Sequence, residues 1–325
     1  MKLWAVTDGA AGNARQALAL AEALAQRLDA AVEPVVVVGR YPWRAAAPRA
    51  LHGAARHFDP TFMARLRAEQ PDLVVGCGRV SALATRLARE CSSGPCRAVQ
   101  ILDPRLPGPH WDARVVPEHD SHRDARTVTC VGSLHPVDDR WLAEAGQAWR
   151  RQEGGIEVPQ VALLLGGPTR RARWTSAQLQ SWLRSVADWP GVRNNLWVIG
   201  SRRTPTSVRR WLRQQDEIPL QRLWLDHSDG PNPYPAALSL AARLVVSPDS
   251  VNMLTEAAAT RAHVFVPSLG VLKGRQRRFV DALAQVRVLQ ELDASGAEAG
   301  NGARPEPWRE LPTVVDRLLA LLNLA

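Results

Sequence analysis

Lysine is almost missing from this chain. Only Lys2 and Lys273 occur, so nearly all of the 41 basic residues are arginine. Cysteine is sparse as well. Cys77, Cys91, Cys96 and Cys130 are too few to staple 325 residues. Cys91 and Cys96 have no His or Cys pair nearby, so zinc is not expected, and a reduced, cytoplasmic compartment is. No apolar run reaches the roughly 18 residues of a membrane span. Met1-Lys2-Leu3-Trp4 runs straight into a strand-like segment, which argues against a secretory leader. Walker A, GxSxG and HExxH sequences are absent, as is an Asp-x-Asp pair to hold a metal nucleotide, so no metal is expected. There is no zinc-finger or RNP pattern, so nucleic acid is not an expected partner. No tandem repeat is found.

What is present describes an ordinary globular protein, 46% hydrophobic and 22% charged. The net charge of +9 attracts phosphate in some form. The length suggests two domains. Short β-branched runs alternate with Ala/Leu/Arg-rich helical stretches, the pattern of βαβ units in a doubly wound α/β fold. In the first half, strands are expected at Leu3–Val6, Val35–Val38, Leu73–Val75, Ala98–Leu102 and Ala113–Val116, with helices at Arg15–Leu28 and near Val80–Glu90. Val35–Val38 is unbroken and apolar, as in a strand covered on both faces.

Arg151–Pro159, polar and carrying Gly154-Gly155, reads as a linker. The expected division is 1–153, 156–305, and a final helical region 306–325 returning to the first domain. Beyond the linker, strands are expected at Val161–Leu165, Leu196–Ile199, Leu223–Leu225, Leu244–Val246 and Val264–Val266. Helices are expected at Ser176–Val186, Ser207–Gln214 and Val251–Thr260. Ala294–Arg304 reads as a Gly/Ala-rich loop. Pro307 opens the last helix, with Pro312 as a restart, and Leu311, Val315, Leu318, Leu319 and Leu322 form a stripe that must be buried.

In a parallel sheet the loops after the strands share one edge, where ligands bind. In the second half these loops carry Gly166, Gly167, Thr169 and Arg170; Arg202 and Arg203; and Ser247, Asp249 and Ser250, followed by Asn252. Glycines, hydroxyls and arginines at one edge suit a phosphate, and at least one of Arg170, Arg171, Arg202 and Arg203 is expected to face it. Ser250 opens a helix, whose free N–H groups favour an anion. Glu256 lies a turn and a half further on, at a depth where a carboxylate either accepts from ribose hydroxyls or is simply exposed. In the first half, Gly9, Gly12 and Asn13 follow the first strand but make no dinucleotide fingerprint. Arg105, Glu118 and Asp120 sit in later loops. Asp8 is the expected general base, with His119 the alternative. Arg40, Arg44, Arg49, Arg56 and Arg65, with Tyr41 and Trp43 among them, read either as a surface touching anionic membrane or as a solvated connection.

Trp4-Ala-Val-Thr7-Asp8-Gly9-Ala-Ala-Gly12, Asp103-Pro104-Arg105, Pro117-Glu118-His119-Asp120, Gly166-Gly167, Asn232-Pro233-Tyr234 and Ser247–Glu256 together resemble the elongated-mitochondria family, named for a plant mitochondrial-fission factor and widespread in bacteria. The resemblance runs from Trp4 to about Leu289. It implies a GT-B-like architecture, two Rossmann-like domains facing each other across a cleft, similar to nucleotide-sugar glycosyltransferases. The second domain would hold the nucleotide diphosphate at a helix N-terminus, with a Glu on the ribose. The first would present the acceptor and the base. No cofactor is implied, the nucleotide sugar being a substrate. The expectation is therefore a metal-independent glycosyltransferase. The alternatives are a non-catalytic adaptor on the same scaffold, binding a protein or membrane surface, and a nucleotide-sugar epimerase.

Overall fold

The computed structural model describes residues 1–325 apart from 121–122, 154–157, 268, 287–288, 293–302 and 325. Gly154-Gly155 of the expected linker and most of the expected Ala294–Arg304 loop lie outside the described residues.

Two six-stranded sheets form, and every strand pair in them is parallel. The first holds β1 (Lys2–Thr7), β2 (Ala31–Val36), β3 (Leu73–Cys77), β4 (Arg97–Ile101), β5 (Ala113–Pro117) and β6 (Thr127–Cys130), in the order β2-β1-β3-β4-β5-β6. The second holds β7 (Val161–Leu164), β8 (Leu196–Ile199), β9 (Arg222–Trp224), β10 (Arg243–Val246), β11 (His263–Val266) and β12 (Leu289–Glu291), in the order β12-β11-β10-β7-β8-β9. In both, the order reverses beside the first strand, β1 next to the edge and β7 near the centre, so a switch point lies at the strands' C-terminal ends.

The helices between strands are α1 (Ala11–Leu28), α2 (Trp43–Ala46), α3 (Ala54–His57), α4 (Pro60–Glu69), α5 (Arg79–Cys91) and α6 (Asp139–Glu153). They continue with α7 (Ser176–Ala187), α8 (Thr206–Gln214), α9 (Tyr234–Leu240), α10 (Val251–Ala258), α11 (Gly274–Val286) and α12 (Leu311–Leu322). Central strands β3, β7, β8 and β10 are buried at every position, which is why they appear as unbroken apolar runs. The Val35–Val38 expectation needs correcting. That run straddles the end of β2, an edge strand, and Val36 and Val38 are 63% and 66% exposed while Val35 and Val37 are buried. The last helix needs correcting too. Residues 303–310 are not helical, and α12 begins at Leu311 with Pro312 in its first turn, where a missing N–H costs nothing.

The chain divides into two compact units, Met1–Pro136 with Glu310–Ala325, and Val137–Arg309. The division falls before α6 rather than after it. α6 belongs to the second unit because it packs on α9 and β9: Ser239 Oγ of α9 donates to the Leu142 carbonyl at 2.6 Å, and the Arg222 guanidinium of β9 lies 4.7 Å over the Trp149 ring. In the first unit, Val314, Val315, Leu318, Leu319 and Leu322 of α12 join one core with Leu20 and Leu24 of α1, Val115 of β5 and Val128 of β6. Arg27 pairs with Asp316 at 2.5 Å on the rim of that contact.

Candidate functional site

In the second unit the loops leaving β7, β8 and β10 meet at one carboxylate. Asp249, its side chain wholly buried, accepts four donors. The Ser247 hydroxyl (2.8 Å) and Trp174 indole (2.9 Å) bind Oδ1; the Gly167 N–H and the Arg203 guanidinium, each at 2.9 Å, bind Oδ2. Ser247 Oγ in turn accepts from the Gly166 N–H at 2.8 Å. The Thr204 hydroxyl lies against the Gly166 and Leu165 carbonyls at 2.8 and 3.1 Å. The glycines follow from this crowding. A Cβ at Gly166 would sit 2.1 Å from Asp249 Oδ2, and one at Gly167 would sit 2.0 Å from the Arg203 carbonyl oxygen. Gly166, Gly167, Ser247 and Asp249 thus bind one another, and their side chains and N–H groups hold the loops together.

The edge they assemble surrounds the start of α10. Ser250 caps that helix, its hydroxyl accepting from the Met253 N–H at 3.4 Å, and the N–H groups of Val251 and Asn252 belong to the first turn, which has no intrahelical acceptors. Gln276 fixes the preceding turn by donating to the Pro248 carbonyl at 2.7 Å. Thr169 closes the β7 loop by accepting from the Arg171 and Ala172 N–H groups. An isolated bridge from Ala172 to Leu272 ties that loop to the segment before α11. Arg170, Arg171 and Arg202 on these loops are exposed and form no ion pair among the described residues. Glu256 is different. It is 3% exposed and its Oε2 takes the Tyr234 hydroxyl at 2.5 Å. The neighbouring β9 loop is closed by its own ion pairs, Arg213 binding Asp229 at 2.6 Å and Asp226 at 3.3 Å. Partial burial pushes the Asp229 carboxyl up, but Arg213 and the Leu225 and Asp226 N–H groups outweigh it and hold the group below the usual carboxylate range.

In the first unit the strand ends are joined more loosely. Asp8 Oδ1 accepts from the Ala10 N–H (3.1 Å) and Asn13 Nδ2 (3.2 Å), while Cys77 Sγ donates to Asn13 Oδ1 at 3.7 Å. Gly78, at φ +90, leaves room for Asn13, whose Nδ2 would be 2.4 Å from a Cβ there. Burial, with Asp8 adding to it, pushes the Cys77 thiol far above its usual range, so it is no nucleophile. Gly9 lies at φ +78 in the turn, and the Gly12 carbonyl accepts from Gln16. Arg105 is exposed at φ +52, with its N–H on Asp103. Glu118 is exposed, His119 half-buried and Asp120 buried, all just after β5. Asp8 follows β1, three strand positions from β5, or about 14 Å at the usual spacing. Asp8 and His119 therefore do not serve one atom together. Among the described residues no group of three or more His, Cys, Asp or Glu side chains is arranged to hold a metal ion.

Residues 11–322 match the family described as Mitochondrial fission ELM1. The chain belongs to that family. An Arabidopsis thaliana relative, mitochondrial fission protein ELM1, is 24% identical over 246 residues, covering 68% of this chain and 57% of its own length. This chain thus spans little more than half of that ELM1 protein. An uncharacterized protein of Rickettsia prowazekii (strain Madrid E) is 21% identical, with 91% of each chain covered. Among solved structures, Os79 from O. sativa in complex with UDP aligns with a TM-score of 0.51 at 12% identity, covering 99% of this chain and 94% of that one. The architecture of this ELM1-family member is GT-B-like, each unit a Rossmann-like parallel sheet flanked by helices. Sequence reasoning missed the partners that give the second edge its form. Trp174 and Thr204 carry no motif signal, Tyr234 stands in the Asn232-Pro233-Tyr234 motif but its bond to Glu256 needs the fold, and so does choosing Arg203 over Arg202 for Asp249.

Proposed function

We propose that the chain is a glycosyltransferase using a nucleoside diphosphate sugar, with the diphosphate held at the N-terminus of α10. The observation that carries this reading is the locked edge of the second unit. Loops fastened by Asp249 present a helix N-terminus together with Arg170, Arg171 and Arg202, which lack counter-charges among the described residues. In such a transfer the bond from the anomeric carbon to the diphosphate oxygen breaks, and negative charge collects on the leaving phosphate. A helix dipole and guanidinium groups stabilise that charge without a metal ion. The acceptor hydroxyl forms the new bond and gives its proton to a base. Asp8 suits that role, because Asn13 and the Ala10 N–H orient it through Oδ1 and Oδ2 has no hydrogen bond to a described residue. Unpaired arginines at a helix start favour a phosphate ligand, which an adaptor would not need.

Calorimetric titration with UDP, GDP, CDP and ADP tests the reading. Wild type should bind at least one, and Arg170→Ala combined with Arg202→Ala should weaken that binding about ten- to a hundred-fold. Asp8→Asn should lower turnover of the matching sugar nucleotide with unchanged nucleotide affinity. If wild type binds no nucleotide at millimolar concentration, the reading fails. A ribose contact from Glu256 requires exchange of the Tyr234 hydroxyl, so Tyr234→Phe should tighten nucleotide binding if Glu256 serves the ribose. The basic segment after β2 has no part in this reading.

A further inference from the structure

The stretch from the end of β2 at Val36 to α4 has a composition unlike the rest of the surface. Seven large hydrophobic residues are markedly exposed among the described residues. Four of them fall here: Val36, Val38, Tyr41 (83% exposed) and Leu51. Arg40, Arg44, Arg49 and Arg56 are exposed in the same stretch and make no ion pair among the described residues. The single carboxylate in 36–64 is Asp59. It is buried and turned inward, accepting the N–H groups of Val38, Gly39 and Phe62. A cavity of about 370 Å³ opens here, lined in part by Val36, Val38, Arg40 and Thr61.

This stretch is fastened to the first unit. Arg79 Nη1 donates to the Ala45 and Ala47 carbonyls at 2.6 and 3.0 Å, and the Arg40 N–H donates to the Phe58 carbonyl at 2.6 Å. Two residues expected to act outward are instead held inward. Trp43 stacks on His57 at 5.4 Å and donates to the His52 carbonyl, and Arg65 is paired with Glu33 and Glu69. What remains is a fixed stretch with exposed apolar side chains and four arginines without counter-charge. Large apolar side chains held exposed within one short stretch point to an interaction site. Unpaired arginine stems can lie along an apolar surface while their heads reach an anionic headgroup layer.

We propose that this segment docks the first unit peripherally on an anionic lipid membrane. Val36, Val38, Tyr41 and Leu51 enter the headgroup region, and Arg40, Arg44, Arg49 and Arg56 meet lipid phosphates. The charge complementarity is what selects this occupant. Four arginines without fixed acidic partners, only one of which (Arg40) lines the cavity, suit a diffuse layer of phosphates rather than one bidentate partner. Contact is peripheral, because no helix among the described residues is long and apolar enough to cross a membrane.

Co-sedimentation with phosphatidylcholine vesicles, with and without phosphatidylglycerol, tests the proposal at low and high salt. Wild type should bind the phosphatidylglycerol vesicles alone and come off at high salt. Arg44→Glu with Arg49→Glu should reduce that binding by about tenfold or more. Val38→Ser with Tyr41→Ser, which leaves the charge unchanged, should reduce it at low salt. A matched control, Arg193→Glu with Arg210→Glu in the second unit, should leave it unchanged. Nucleotide titration of every variant reports on folding and on the second unit separately. Equal binding to neutral vesicles, no binding to anionic ones, or equal loss in the control pair overturns the proposal; an acidic protein partner would give the second of these results.

Discussion

The two strand-end edges are closed by opposite means. In the second unit one buried carboxylate binds groups 46, 75 and 82 residues away and joins three loops. In the first unit most closures are local, Asp8 to Ala10 and Asn13, Asp103 to Arg105, and the long-range tie from Cys77 to Asn13 is a weak thiol contact. A Glu310 clasp on the Val131 and Gly132 N–H groups is the stronger exception. An edge fixed by buried, charge-assisted bonds holds one shape, whereas local turns can reshape.

The comparison breaks most severely at Asp249. Asp249→Ala leaves buried donors on Ser247, Gly167 and Trp174 unsatisfied and should cost about 3–5 kcal/mol, lowering the midpoint of the second unit by roughly 10 °C in calorimetry. Gly167→Ala forces a methyl into the Arg203 carbonyl and should cost about 1–3 kcal/mol. Gly94→Ala in the first unit, where a Cβ meets open space, should stay within about 0.5 kcal/mol. Urea denaturation of the pair compares them directly. Glu310→Gln keeps one acceptor and should cost about 1 kcal/mol, visible as faster hydrogen exchange at Val131 and Gly132. The smallest effect is acidic. Hydrogen bonds from Arg65 and then Lys2 hold the Glu69 carboxyl down at about 2, against an ordinary 4.5. Because the folded value is the lower one, its contribution is present above about 4.5 and fades as pH falls toward 2. Glu69→Gln should make the urea midpoint of the first unit slightly less steep in that window.

Elements that are buried on both faces were plain in the sequence. Leu196–Ile199 appears as β8 without a residue's shift, and Val161–Leu165 exceeds β7 by one. Edge strands were not: β2 shares only Val35 and Val36 with the expected Val35–Val38, and β6, Thr-Val-Thr-Cys, is too short and polar to announce itself. α4 carried a usable signal, the Asp59 cap followed by Pro60 at the first position, inside a stretch that reads first as an arginine run. At the site, the residue types of Gly166, Gly167, Ser247 and Asp249 pointed to a strand-end edge. That they hold one another depends on Trp174 and Thr204, which nothing in sequence connects to Asp249. Glu256 was visible as a carboxylate on α10; its burial and its bond to Tyr234 depend on α9, which was not foreseen.

The return of α12 to α1, β5 and β6 has a consequence for biosynthesis. The apolar faces that α12 covers, with Leu20, Leu24, Val115 and Val128 among them, emerge from the ribosome long before their cover. All of Val137–Arg309 is translated in between, roughly ten to thirty seconds at ordinary elongation rates. The second unit is contiguous and can close on itself during that interval. The first waits with a greasy flank open, which makes it the half of the molecule most in need of a chaperone.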